Sequence, residues 1–303
     1  MANSLPATKK GIALIGLVAL WSSLCGSSPS ALAEEVRAVT TGNPLVVVVM
    51  DPLALPLSCP CVKGYAQRDY QKLADRLQAS LKRQVKLVFN ESLSVALRDQ
   101  TEGKADLVIG KYSVVLADTA KNKLAATPLA MLTGKDGATN QTGLIVVPSG
   151  DPAKTVADLR DFRIIFGPAE CDEKSRAALA LLKKHGIDPP TKLETSAACS
   201  DGATLILDLR GKARAAAVIS SYAKPLLEGC GTIQKGDLRV VGETEPVPFV
   251  AAFAVGSMAA SERSQLLDAL TQASLDPLLR IALETKSGFV AIDDKVAQAA
   301  KKK

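Results

Sequence analysis

The chain has 303 residues, of which 47 % are hydrophobic, 22 % charged and only 4 % aromatic, and its formal net charge is +6. That charged share argues against wholesale disorder, and the length suits two lobes of roughly 100–150 residues each. A single His excludes His-rich metal sites and leaves only His185 for a Ser-His-Asp triad, while so few aromatics argue against nucleic-acid stacking platforms and sugar grooves.

In chain order, Lys9 and Lys10 precede an apolar run from Gly11 to Trp21. The run is shorter than the ~20 residues a membrane span needs. Ala31-Leu32-Ala33 supplies small residues before a cleavage point, so residues 1–33 read as a secretory signal peptide. Leu24 is too large for a lipobox before Cys25. The expected product starts at Glu34, is extracytoplasmic (periplasmic) and does not span a membrane.

Val46-Val47-Val48-Val49 predicts a strand buried on both faces, ended by Asp51-Pro52. A loop with Pro, Cys59 and Cys61 follows, up to Gly64. Tyr70, Leu73, Leu77 and Leu81 have helical spacing. Val85–Phe89 is the next strand, a short helix carries Leu93, Ala96 and Leu97, and Ala105–Gly110 is a third strand. This βαβαβ rhythm implies a parallel sheet covered by helices. A second series follows: strand Leu144–Val147, one helical turn at Thr155–Leu159, strand Phe162–Phe166, and a helix from Cys171 to His185 ended by Gly186. Then come strand Lys192–Thr195, helix Ala203–Leu209, strand Ala215–Ile219 and a helix stopped by Gly229. Phe249–Val255 is a late strand, Glu262–Leu283 is helical with a break at Pro277, and the three terminal lysines form a solvated tail.

This order resembles the two-lobed substrate-binding proteins of ABC importers, and more narrowly the phosphate/phosphite/phosphonate-binding family. The matching stretches are Asp69–Leu77, Gly103–Leu116, Thr155–Phe166, Ala177–Pro189, Gly211–Ser220 and Gly288–Asp294. The resemblance implies an α/β fold of two doubly wound lobes joined by two hinge crossings, a type II periplasmic binding protein. Lobe I would take residues 44–141 and 248–294, lobe II residues 142–247, and 295–303 the basic tail. The crossings would fall near Gln141–Gly143 and Val247–Phe249. The ligand would sit between the lobes at the carboxyl ends of the strands.

Gly110-Lys111-Tyr112-Ser113 stands where the family has a Gly, a variable residue, an aromatic and a Ser at a helix start. Backbone N–H groups there suit an anion, and Tyr112 and Ser113 add hydroxyls; the plainer reading makes Ser113 an N-cap. In lobe II the family offers Ser/Thr hydroxyls after a Gly-Pro turn. Here Gly167-Pro168 leads to Glu170, Cys171, Asp172 and Glu173. Three carboxylates suit a helix dipole but would repel a phosphonate dianion. The family's second lobe II loop, often ending in His, reads Ala198-Cys199-Ser200-Asp201, and Ser220-Ser221-Tyr222 closes the next strand. The expected ligand set is therefore Lys111, Tyr112, Ser113, Glu170, Ser200, Asp201, Ser220, Ser221 and Tyr222.

Cysteine use allows three readings. Cys171 and Cys199 follow consecutive lobe II strands, and a disulfide between them suits an oxidising compartment. Cys59 and Cys61 form Cys-Pro-Cys, a pair suited to a soft metal such as Cu(I) or Zn. A thiol redox role is the third; it lacks CxxC. Cys230 either pairs within lobe II or stays a thiol. No CxxCH occurs, so covalent c-type haem is excluded by this pattern.

The leading expectation is a binding module without catalysis or cofactor. It would hold a small polar solute and deliver it to an ABC permease, with no nucleic-acid partner. The alternative is a metal-binding or redox accessory serving a quinoprotein or cytochrome system.

Overall fold

The computed structural model describes residues 42–58 and 66–292. The expected signal peptide, Cys59, Cys61 and the basic tail lie outside the described residues.

The valine run forms β1 (Leu45–Met50), all six residues of which are buried. It is followed by α1 (Gln71–Leu81), β2 (Val85–Phe89), α2 (Leu93–Asp99), β3 (Leu107–Lys111), α3 (Tyr112–Lys121) and β4 (Ala126–Leu132). β1 pairs in parallel with β2 on one side and β3 on the other. A strand flanked on both sides and covered on both faces must be apolar throughout, which is why β1 reads as a run rather than an alternation. The heptad-like spacing on α1 buries Leu73, Ala74 and Leu77 against the sheet, each Leu contributing about 1.5–3 kcal/mol of burial.

The chain then crosses through β5 (Asn140–Gln141) into β6 (Gly143–Pro148). There follow β7 (Arg163–Phe166), α4 (Arg176–Lys184), β8 (Glu194–Thr195), α5 (Cys199–Asp208), β9 (Ala215–Ser220), α6 (Ala223–Gly229) and β10 (Leu238–Glu243). It returns through β11 (Val247–Pro248) to β12 (Val250–Val255), α7 (Ala260–Ala273), α8 (Pro277–Ala282) and β13 (Phe289–Ala291).

These strands build two sheets. The first has the order β13-β4-β12-β3-β1-β2 and the second β10-β6-β9-β7-β8. Each is mixed. β7, β8 and β9 are parallel, but β6 runs against β9, and β12 runs against both β3 and β4. The wholly parallel reading is corrected here: the strands that enter straight from a crossing arrive in the opposite sense. β5 and β11 pair with each other, so the two crossing segments form their own antiparallel ladder. β4, β5, β10, β11 and β13 are strands beyond those expected, and the strand expected at Lys192–Thr195 shrinks to two residues.

Candidate functional site

Two sets of strand ends face one another. From the first sheet come the ends of β1 and β3; from the second come the loops after β7, β8 and β9. Between them lies a cavity of about 400 Å³, lined among others by Met50, Lys111, Cys171, Lys174, Cys199 and Tyr222. Its position at the carboxyl ends of parallel strands is the usual ligand position in open α/β sheets.

Lys111 closes β3 and is 6 % exposed. Its ammonium forms an ion pair with Glu173, which comes from the other sheet's β7–α4 loop and is fully buried. Ser220, at the end of β9, donates to the same carboxylate oxygen at 2.6 Å. The second oxygen, Oε2, has no hydrogen-bond partner among the described residues. Burial works against the Lys111 charge, yet Tyr222, Glu173 and Cys171 together hold it above the ordinary lysine value. The Tyr222 ring lies 6.0 Å from the ammonium and stacks on Phe249 at 5.1 Å. Burial pushes its phenol above the usual range, against the pull of Lys111.

The loop that delivers Glu173 is compact. Lys174 N donates to the Cys171 carbonyl at 3.0 Å and Gly167 N to the Lys174 carbonyl at 3.1 Å. Two glycines make room for it. A Cβ on Gly143 would fall on the Glu173 carbonyl oxygen, and one on Gly167 would fall on the Lys174 side chain. Lys174, 4 % exposed, reaches the Ala197 carbonyl at 3.1 Å. The expected helix from Cys171 is corrected: α4 starts at Arg176. Glu170, Asp172 and Glu173 therefore precede it instead of sitting in its first turn. Asp172 pairs with Arg176, Glu170 is exposed at the cavity rim, and Glu173 turns inward.

The other expected ligand residues divide. Ser113 bridges the two sides, donating to the Glu170 carbonyl at 2.6 Å and accepting from Asp172 N at 3.2 Å. Tyr112 is corrected: its ring is buried against Phe253 at 5.1 Å in the core of the first sheet, so its hydroxyl does not face the cavity. The first residue of α3 points its side chain inward because the helix packs that face on the sheet. Ser200 lines the cavity, but Asp201 is exposed and accepts from Ser200 at 3.1 Å. Ser221 accepts from Thr142 N at 3.2 Å beside the crossing. Lys174, Met50, Leu226 and Leu227 line the cavity without having been singled out; only Gly167-Pro168 hinted at the loop that carries Lys174.

The disulfide expectation is also corrected, since Cys171 and Cys199 are both free thiols. Cys199 Sγ accepts from Ser220 N at 3.4 Å, turned toward β9. Cys171 is buried at the start of the Glu173 loop. Burial raises its thiol pKa, partly offset by Lys111 and Lys174. No group of three or more metal-ligating side chains occurs among the described residues, and no described helix is long and apolar enough to cross a membrane.

Comparison with known proteins places these observations. The family model described as "ABC transporter, phosphonate, periplasmic substrate-binding protein" matches residues 64–296. A Xanthomonas citri protein solved bound to ATP is similar at TM-score 0.63 and 16 % identity, with 86 % of this chain and 95 % of that one covered. A binding-protein component of an ABC phosphonate transporter from Pseudomonas aeruginosa gives 0.64 at 12 % identity, covering 86 % and 85 %. A Prochlorococcus marinus protein in complex with methylphosphonate gives 0.59 at 13 %, covering 85 % and 96 %. At these identities the likeness is one of fold. No curated protein matches the sequence.

Proposed function

The chain belongs to the phosphonate-type periplasmic substrate-binding family of ABC transporters, and from that premise we propose that it is an extracytoplasmic solute receptor whose ligand lies in the cavity between the two sheets. The family is one of transport proteins rather than enzymes. The observation that carries the reading is the convergence of Lys111, Ser200, Tyr222 and Lys174, from both sides, on one cavity of about 400 Å³ at the strand ends. That volume falls in the usual range of small-molecule sites. Side chains from two lobes contribute to it, so hinge closure would complete it and opening would release the ligand. The solute is small and polar, and an ABC permease is the receiving partner. In the same reading the signal peptide ends at Ala33.

Native mass spectrometry of protein purified from its own compartment tests this. The expected result is a chain beginning at Glu34 with a small solute retained, and loss of that solute in Tyr222→Ala or Ser200→Ala. Retention undiminished by both substitutions would place the ligand elsewhere and overturn the assignment.

A further inference from the structure

An ion pair that is buried, spans two lobes and borders the ligand cavity does more than hold the lobes. Removing two charges from water is expensive, and an apolar pair of the same shape is often as stable. Here the carboxylate also carries Oε2 with no partner among the described residues, a further cost. Stability alone therefore does not account for Glu173. Its placement is nevertheless well determined: Ser220 fixes one oxygen, and Gly143 and Gly167 give its loop room to reach Lys111.

Resting on the cavity being the ligand site, we propose that Glu173 is the chain's own occupant of the anion seat on Lys111, and that it sets the charge of the ligand. With Lys111 neutralised from within, the remaining buried cation at the cavity is Lys174, and exposed Glu91 and Glu170 stand on its wall. Such a cavity accepts neutral or singly charged solutes and shuts out a dianion. A second negative group brought to Lys111 would meet the Glu173 carboxylate in a low-dielectric site, where like charges repel strongly. Specificity would thus rest on a built-in repulsive group as much as on attraction.

Methylphosphonate and methanesulfonate are useful probes because they share a shape and differ in the charge they can carry. Calorimetry on the wild type at alkaline pH should show no methylphosphonate binding in the micromolar range. Glu173→Gln, which keeps the size and can keep the Ser220 contact, should bind methylphosphonate at least tenfold more tightly than wild type, with a smaller gain for methanesulfonate. The charge-free pair Lys111→Gln/Glu173→Gln should lose that gain. Micromolar methylphosphonate binding by the wild type, no gain in folded E173Q, or an equal gain in the double variant would each overturn the proposal. If E173Q does not fold, Glu173→Asp withdraws the charge by one methylene and should show a smaller gain; none there is equally fatal. A solute retained by the wild type and lost on cavity substitution, together with no gain in E173Q, would leave the receptor reading standing and remove only this one.

Discussion

Among the described residues, two buried carboxylate–cation pairs, each completed by a hydroxyl, join different things. Asp51 accepts from Arg68 Nη1 at 2.8 Å, Tyr70 Oη at 2.5 Å and Leu53 N at 3.0 Å, all within one lobe and across one loop. Glu173 accepts from Lys111 and Ser220, and its ion pair crosses from the first sheet to the second. The first pair ties down both ends of the loop that follows β1, where Arg68 N also donates to the Leu53 carbonyl at 2.7 Å. Both of its charged groups belong to the first lobe, so moving the lobes apart does not part them. The second pair joins the two sheets, so under the hinge motion proposed above, opening the cleft would hydrate both charges. On that proposal the same chemistry is a structural clasp in one place and would be a state-dependent contact in the other.

The largest expected effect breaks the clasp. Asp51→Asn leaves Arg68 buried without its countercharge and should lower the unfolding free energy by about 3–5 kcal/mol, read from the urea midpoint at unchanged slope. Lys111→Met should cost less, about 1–3 kcal/mol, because Glu173 can regain water by lobe separation. The same variant should show a larger radius of gyration in solution scattering than the wild type. A cost equal to that of D51N with no expansion would erase the distinction. Next in size, a double-mutant cycle over K111M and Glu173→Leu should give a coupling of about 0.5–3 kcal/mol, since the two groups are in contact; a value near zero means the pair does not form in solution.

The smallest effect is chemical. Burial holds the Cys171 thiol above its ordinary value. The native group therefore stays protonated where an unfolded thiol ionises. Its contribution to stability is present below the unfolded thiol pKa and is lost as pH rises through the folded one. Iodoacetamide at pH 8 should label half-buried Cys199 before Cys171, and both should label after denaturation without reductant. A linked Cys171–Cys199 peptide pair would reverse the assignment of free thiols.

How much of this was legible in the sequence follows from range. Runs such as Val46–Val49 and Ala215–Ile219 read as strands because their pattern is local and buried on both faces. β4 escaped notice because Pro128 interrupts it and its flank lacks alternation; it persists because β12 and β13 pair with it. β10 does not alternate: Val240 and Val241 are adjacent, and Gly242 and a register shift break the period of two. In the site, Lys111 was visible because it sits in a strand-turn-helix motif. The pairing of Glu173 with it was not, because the two are 62 residues apart on different sheets and no periodicity reports such a contact. Read locally, Glu173 is one carboxylate among three at a helix start. Tyr112 and the Cys171–Cys199 pair failed for a related reason: strand order places residues on the correct edge without saying which way each side chain turns.

The position of β12 has a consequence for the order in which the molecule is made. It lies between β3 and β4, yet it is supplied only after the whole second sheet has been translated. The second sheet is a continuous stretch of chain and can close early; the first must wait with two apolar edges exposed, and its completion requires a long loop closure. Assembly of the first sheet is thus expected to be the slow step, and pulse-labelled hydrogen exchange should protect β6 and β9 before β3 and β4. Chains interrupted before Val250 would present both open edges at once, the condition under which strands add to the wrong partner and precipitate.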